Sequence, residues 1–294
     1  MKKPAAPQFQ PGAWLQNLVL MGVIGLLRAL PYGWRVPFGG WLMRVLIAPL
    51  GGYGKRVRRN LALIWPDLPN ARAGQITKAV CDNAGRTLAE LYSPKEFKAL
   101  VSGAKVLGAG LDPILQAQAE GRGVMLISGH FGNHDIARAV LSSRGLNVAA
   151  LYRPQSNPYF DVHFAATIRA ISEPLFARGR RGLAELVTHL KKGGMVGMLI
   201  DQHFDSGAAL DFLGQPAMTS LSAAEMALKY NCLLVPVYGI RLPDGLHFDL
   251  LVEAPIPHTD ARTMTQALND SLAAQVRLHP EQWFWVHRRW KGIT

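Results

Sequence analysis

The chain has 294 residues, 49% hydrophobic and 18% charged, too apolar for a disordered protein and long enough to bury one large core or two small ones. Its 29 Gly and 19 Pro follow no repeating register, and Cys81 and Cys232, far apart and outside any CxxC frame, argue against a disulfide scaffold or zinc ribbon and read as buried thiols in a reducing compartment. The net charge of +12 is N-terminal: residues 1–60 contain nine Lys/Arg (Lys2, Lys3, Arg28, Arg35, Arg44, Lys55, Arg56, Arg58, Arg59) and no Asp or Glu, leaving 23 of the 32 basic residues against all 20 acidic ones elsewhere.

The first predicted element is WLQNLVLMGVIGLLRAL at 14–30, with no polar side chain from 18 to 27. Seventeen helical residues rise about 25 Å, short of a hydrocarbon core of ~30 Å, so the segment either spans with Trp14 and Arg28 as anchors or lies in the interface. A core helix and a signal peptide are competing readings, the latter lacking a small-residue cleavage site. An amphipathic stretch at 41–50 follows, then the cluster Lys55-Arg56-Val57-Arg58-Arg59. More Lys and Arg follow the apolar run than precede it, which places the rest of the chain on the cytoplasmic side of a membrane. The expected division is a basic, apolar membrane-anchoring helical segment at 1–60 and a second unit at 61–294.

The pattern from 72 to 100 predicts a helix, with Thr77 as a possible cap and a stop near Ser93-Pro94. From 123 onward short apolar strands alternate with amphipathic helices. Strands are expected at 124–128 (VMLIS), 147–153, 173–178, 195–201 and 233–241, with helices after Asn133, after Asn157-Pro158, over 183–192 and from Thr219 or Ser220. Continuous apolar strands joined by helices predict an α/β fold with a mostly parallel central sheet covered on both faces. LPDGL reads as a turn into an antiparallel strand HFDLLVE, and a helix over 263–278 precedes the tail WFWVHRRWKG. That tail mixes Trp, His and Arg as an interfacial belt would, or packs its Trp residues on the core.

The strand VMLIS runs into Gly129-His130-Phe131-Gly132-Asn133-His134-Asp135, at the carboxyl end of a parallel strand, where α/β proteins place their sites. On a continuous helix His130 and Asp135 would diverge, so they meet only if Gly132 turns the chain and Asp135 falls in the first helical turn. An ionised Asp on one imidazole nitrogen would leave the other free to take a proton from a hydroxyl, a general-base dyad. The alternative is a satisfied loop histidine beside a helix-start acid.

GHFGNHD resembles the His-x4-Asp/Glu motif of the bacterial lipid A biosynthesis acyltransferases, the late lauroyl/myristoyl transferases. Further matches follow in order: Arg58-Arg59-Asn60-Leu61, Tyr152-Arg153-Pro154 with Asn157, Arg169, Asp201-Gln202, DFLGQPAMTS at 211–220 and PEQWFWVHRRWK. The resemblance covers nearly the whole chain. One departure is Asp-Gln-His-Phe-Asp-Ser-Gly where many members read Asp-Gln-Asp-x-Gly, which puts the third position in doubt.

The resemblance implies a glycerolipid-acyltransferase-like fold that transfers a fatty acyl chain from an acidic acyl carrier protein, or coenzyme A, to a hydroxyl of a lipid A precursor at the cytoplasmic face of the inner membrane. It implies His130 as base and Asp135 as its orienting partner, no cofactor, no metal and no nucleic acid. A base-assisted hydroxyl needs no covalent intermediate, and backbone N–H groups of the 129–133 loop are candidate oxyanion donors. Arg153, Arg169 and Arg178 are the candidates for the anionic groups of the acceptor, with Asp201 and Gln202 as further substrate-binding residues, Asp201 orienting an Arg or a sugar hydroxyl. Rival readings are another phospholipid or glycolipid acceptor, a metal-dependent hydrolase built on His130, His134, Asp135, Asp201, His203 and Asp205, and a non-catalytic module driven by the basic segment.

Overall fold

The run VMLIS is buried at all five positions and therefore needs cover on both faces, and the computed structural model, which describes residues 9–292, supplies it. Lys2 and Lys3 of the basic segment lie outside the described residues. Helices α1 (Pro11–Arg28) and α2 (Tyr32–Leu42), a π-helical turn (Met43–Ile47), α3 (Ala48–Leu50), α4 (Tyr53–Ile64), α5 (Asn70–Leu91) and α6 (Pro94–Val101) come first. Strand β1 (Val106–Leu107) and α7 (Leu111–Ala119) lead into the alternating part. That part runs β2 (Val124–Ser128), α8 (Ile136–Ser143), β3 (Val148–Tyr152), α9 (Pro158–Ile171), β4 (Leu175–Ala177), α10 (Arg180–Lys191) and β5 (Met195–Leu199). A hairpin of β6 (Ala208–Phe212) and β7 (Gln215–Thr219), then α11 (Ser222–Tyr230), β8 (Leu233–Arg241), β9 (Phe248–Val252) and α12 (Ala261–Leu278) complete the order.

The main sheet has the order β1-β9-β8-β2-β5-β3-β4, with every neighbouring pair parallel except β8 and β9. Alternation along each strand decides which helices cover which face. Val124 and Leu126 point into a core shared with α6, α7 and α8, whereas Met125 and Ile127 point into one shared with α10, α11 and α12. The expected mostly parallel α/β sheet, the stop at Ser93-Pro94 and the antiparallel strand after LPDGL are all present.

Two details differ from the sequence-based expectation. Thr77 lies inside α5, where its hydroxyl donates to the Ala73 carbonyl at 2.7 Å instead of capping a terminus. The stretch 208–219 forms a hairpin whose turn sets Leu213 at φ 58° and Gly214 at φ 85°. A leucine in the left-handed region carries no turn signature, so the pattern concealed the hairpin. Of the two readings of the tail, core packing holds: Trp283, Trp285 and Trp290 are buried in a core with Phe131, Phe212 and Tyr238.

The N-terminal helices are tied to this body at defined points. Helix α2 crosses α5 so closely that a Cβ on Gly85 would lie 2.2 Å from the Gly39 carbonyl oxygen. Arg35, buried, donates to the Ser93 hydroxyl at 2.7 Å and to the Arg28 and Leu30 carbonyls at 2.8 Å. Asn60 on α4 donates to the carbonyls of Trp285 and His287 at 2.7 and 2.9 Å. Helix α1 is inverted relative to a soluble amphipathic helix: it turns buried Asn17 inward and leaves Leu15, Leu18, Val19, Val23 and Leu26 exposed. Among the described residues no helix is long and apolar enough to cross a membrane.

Candidate active site

The chain leaves β2 at Ser128 and must reverse before α8. Gly132 makes the reversal at φ 53°, and a Cβ there would meet the Gly239 carbonyl oxygen at 1.8 Å, so no larger residue fits. The Gly132 carbonyl accepts from Asn83 at 2.9 Å and Thr87 at 3.1 Å on α5, and its N–H donates to the Gln282 carbonyl at 2.9 Å. The loop thus sits between a helix of the N-terminal half and the C-terminal tail. Beneath it Arg241 forms a forked ion pair with the fully buried Glu90, which also accepts from Asn133 at 2.8 Å.

His130 sits at the top of this loop, but its partner is not Asp135. Its Nδ1 lies 2.8 Å from Oδ1 of Asp201, and its backbone N–H donates to Oδ2 of the same carboxylate at 2.7 Å. Trp283 adds a third donor through Nε1 at 2.9 Å. Burial pushes the Asp201 carboxyl up, but the charge and hydrogen bonds of His130, with the charge of His287, outweigh it and hold the group below the usual carboxylate range. An ionised carboxylate only accepts, so Nδ1 carries a proton, and in the neutral ring Nε2 is then the accepting nitrogen.

Asp135 is the residue before α8, with its side chain turned to Arg138 at 2.7 Å. Arg138 also donates to the carbonyls of Ser172, Ile168 and Val148 at 2.6, 3.3 and 3.4 Å, joining α8 to α9 and β3. Burial raises the Asp135 carboxyl, but the charges of Arg138 and His134 and the Arg138 hydrogen bond bring it below its ordinary value. The pairing expected between His130 and Asp135 is therefore replaced by two separate pairs. An Arg one helical turn away satisfies Asp135, while the end of β5, a strand neighbour of β2, brings Asp201 to His130. The geometry assigns Asp201 to the imidazole instead of an Arg or a sugar hydroxyl.

A cavity of about 500 Å³ opens beside His130. Polar residues line its mouth, His134, Arg153, Arg178 and Gln202 among them, and below lie Leu126, Ala150, Phe164, Ile168 and Gly197. Arg153, Arg178 and Gln202, all expected to contact substrate, are exposed at that mouth. Arg169 is exposed on α9 and does not line the cavity. The loop N–H groups expected as oxyanion donors are largely engaged: those of His130, Phe131 and Gly132 donate to Asp201, Gly129 and Gln282.

Sequence reasoning missed the tail residues that complete the site. The His287 ring stands 4.5 Å from that of His130, its Nε2 is buried without a hydrogen-bond partner, and burial lowers its pKa to about 4 against the pull of Asp201. Arg289 is fully buried, donating to the Thr219 hydroxyl at 2.6 Å and the Met218 carbonyl at 2.9 Å. The signal was HRRW itself, whose His and Arg were weighed as interfacial side chains.

The six residues of the metal-hydrolase reading, His130, His134, Asp135, Asp201, His203 and Asp205, do not gather as one ligand set among the described residues. Among the described residues the donors that converge are His130, Asp201 and His287, whose atoms lie within 4.8 Å of one another. Both Asp201 oxygens already receive protein donors, so this set fits an oriented imidazole better than a cation. His203 turns to Asp205 at 3.0 Å.

The family described as Bacterial lipid A biosynthesis acyltransferase matches residues 4–292, and the chain belongs to that family. It is 25% identical over 291 residues to the lipid A biosynthesis lauroyltransferase of Escherichia coli K12, covering 96% of this chain and 92% of that one. A phosphatidylinositol mannoside acyltransferase of Mycobacterium tuberculosis is 25% identical over 246 residues, covering 81% and 78%. The lipid A biosynthesis palmitoleoyltransferase of Escherichia coli K12 is 27% identical over 190 residues, covering 62% and 60%.

Proposed function

We propose that this acyltransferase moves a fatty acyl chain from the thioester of an acyl carrier protein to a hydroxyl of a lipid A precursor, with His130 as general base and Asp201 as the residue that orients it. The observation that carries the reading is the 2.8 Å contact between His130 Nδ1 and the ionised, buried Asp201, which leaves Nε2 bare beside an apolar cavity. Nε2 takes the proton of the acceptor hydroxyl as its oxygen attacks the thioester carbonyl, and Asp201 stabilises the imidazolium that forms. Collapse of the tetrahedral intermediate breaks the carbon–sulfur bond and the thiolate takes the proton back from His130. The reaction as written consumes only the two substrates.

Arg153 and Arg178 at the mouth suit an anionic sugar lipid, since a guanidinium binds phosphate or carboxylate through a planar fork. The relatives' names include both lipid A and phosphatidylinositol mannoside acyltransferases, so phosphorylated glycolipid is the acceptor class, with lipid A the favoured member. Residues 1–60 serve as the surface by which the body at 61–294 sits on the cytoplasmic face of the inner membrane. Trp34, Phe38, Trp41, Val45, Leu46 and Leu50 recur at helical spacing along α2, the π-helical turn and α3, all exposed, beside the outward leucines and valines of α1. An apolar face of this extent flanked by Arg28, Arg44, Lys55 and Arg59 suits an interfacial seat on anionic lipid. Purified protein given acyl carrier protein thioester and lipid A precursor should form the acylated product, and cells lacking the protein should lose one acyl chain from lipid A by mass spectrometry. Intact lipid A with a missing phospholipid species would move the assignment to that acceptor.

A further inference from the structure

Strand β5 lies between β2 and β3 in the middle of the sheet, where side chains are ordinarily sealed, yet Gly197 at its centre is only half-buried because the cavity reaches down to it. Leu126 and Ala150 are its neighbours in register on the two flanking strands. A Cβ built on Gly197 would have Val148 Cγ1 at 3.6 Å and the Arg138 Cδ at 3.8 Å as its nearest side-chain atoms. Those are ordinary contacts, and Gly197 is not among the glycines with positive φ, so the backbone does not require glycine here. Glycine inside a strand weakens it and marks a place where something else comes close.

Resting on the acyl-transfer reading, we propose that Gly197 sets the length of acyl chain the enzyme accepts. The thioester lies at His130 and the hydrocarbon descends along the sheet face past Ser128 and Leu199 to cross Gly197 beside Leu126 and Ala150. Two steps of strand separate Ser128 from Leu126, a descent of roughly 7 Å at ~3.3 Å per residue below the loop that carries His130. The methyl end then meets Val148 and the aliphatic stem of Arg138. Asp135 and three backbone carbonyls hold that guanidinium in place, so the end wall is rigid. This gives the buried Asp135–Arg138 pair a consequence for specificity as well as for packing.

The test uses the full-length protein with Gly197→Ala and Gly197→Val, each assayed against acyl carrier protein thioesters graded from long to short. A β-branched residue suits a strand, so both variants should fold with a melting temperature at or above that of the parent. For Gly197→Val, kcat/KM with the parent's preferred chain should fall by about 10–200-fold, the range a few misplaced methyl groups produce in an apolar pocket. Shorter chains should be used as well as before or better, and Gly197→Ala should shift in the same direction by less. An unchanged length profile, or an equal loss at every length in both variants, overturns the proposal while leaving acyl transfer intact. Parent protein that uses no thioester at all overturns the acyl-transfer reading and this proposal with it.

Discussion

The two ends of the chain are both rich in Trp and Arg, and the fold treats them in opposite ways. In the N-terminal helices Trp34 is 73% exposed and Trp41 47%, whereas Trp283 and Trp285 at the other end are fully buried. The difference lies in the polar partners each segment finds. Trp283 and Trp285 give their indole N–H groups to Asp201 and to the Pro280 carbonyl, and both terminal nitrogens of Arg289 find partners in Thr219 and Met218, so the tail is buried with these donors satisfied, leaving Arg289 Nε and His287 Nε2 over. Among the described residues the N-terminal stripe shows no such partners on its outer side and stays exposed. Composition therefore marked both ends as amphiphilic, but the hydrogen-bond partners distinguish the buried tail from the exposed stripe.

The largest expected effects break the tail. Trp283→Ala should destabilise the protein by about 3–5 kcal/mol, the cost of emptying a buried aromatic site, and remove a donor from Asp201. Trp283→Phe keeps most of the volume, so chemical denaturation should show a smaller loss while acyl transfer still falls. Breaking the Asp135–Arg138 pair by Arg138→Met leaves a buried carboxylate unpaired, and denaturant titration should register about 3–5 kcal/mol.

How far the site was legible in sequence follows from these same residues. The strands, the Gly132 turn and His130 at a strand end could be read because local pattern and glycine chemistry fix them. The partner of His130 could not, because Asp135 is near in sequence and Asp201 is near only after β5 pairs with β2. Arg138, which claims Asp135, lies on the helix that hydrophobic periodicity describes, but its burial depends on the carbonyls of Ile168 and Ser172 from a later helix. Gly197 reads as an unremarkable strand glycine until the cavity beside it is seen.

Acid should separate the residues of the site in a third way. His287 titrates at 6.5 when unperturbed and at about 4 in the fold, so between those values the unfolded chain binds the extra proton and stability is lost as pH falls. Asp201 and Asp135, both lowered by folding, contribute stability that is present above the ordinary carboxylate pKa of 3.8 and lost as pH falls below it. Melting temperature should therefore decline in two stages on acidification. His287→Gln should reduce the upper stage, to which the burial-lowered His134 and His189 also contribute, and Asp135→Asn should reduce the lower one, which it shares with Asp201. A single decline confined below pH ~4 in the parent would contradict the buried neutral His287.

The smallest effect on folding, and a large one on location, belongs to the other end. Trp34→Ala with Trp41→Ala should change stability by less than about 0.5 kcal/mol, since these side chains are exposed, while weakening sedimentation with anionic lipid vesicles. Unchanged sedimentation would move the membrane contact to α1 or to the basic cluster at 55–59.

Whether Asp201 or Asp135 orients the proposed base His130 is decided by a steady-state comparison of purified Asp201→Asn and Asp135→Asn with their melting temperatures recorded alongside. Asp201→Asn gives up a buried ionised carboxylate and should melt lower too, but at a temperature where it is folded it should lose about 10²–10⁴-fold in kcat, as loss of general-base function does, with KM little changed. Asp135→Asn should lose thermal stability and retain more of its kcat at a temperature where it is folded. A folded Asp201→Asn enzyme turning over at the parent's rate, beside a folded Asp135→Asn enzyme that is inactive, would contradict the account.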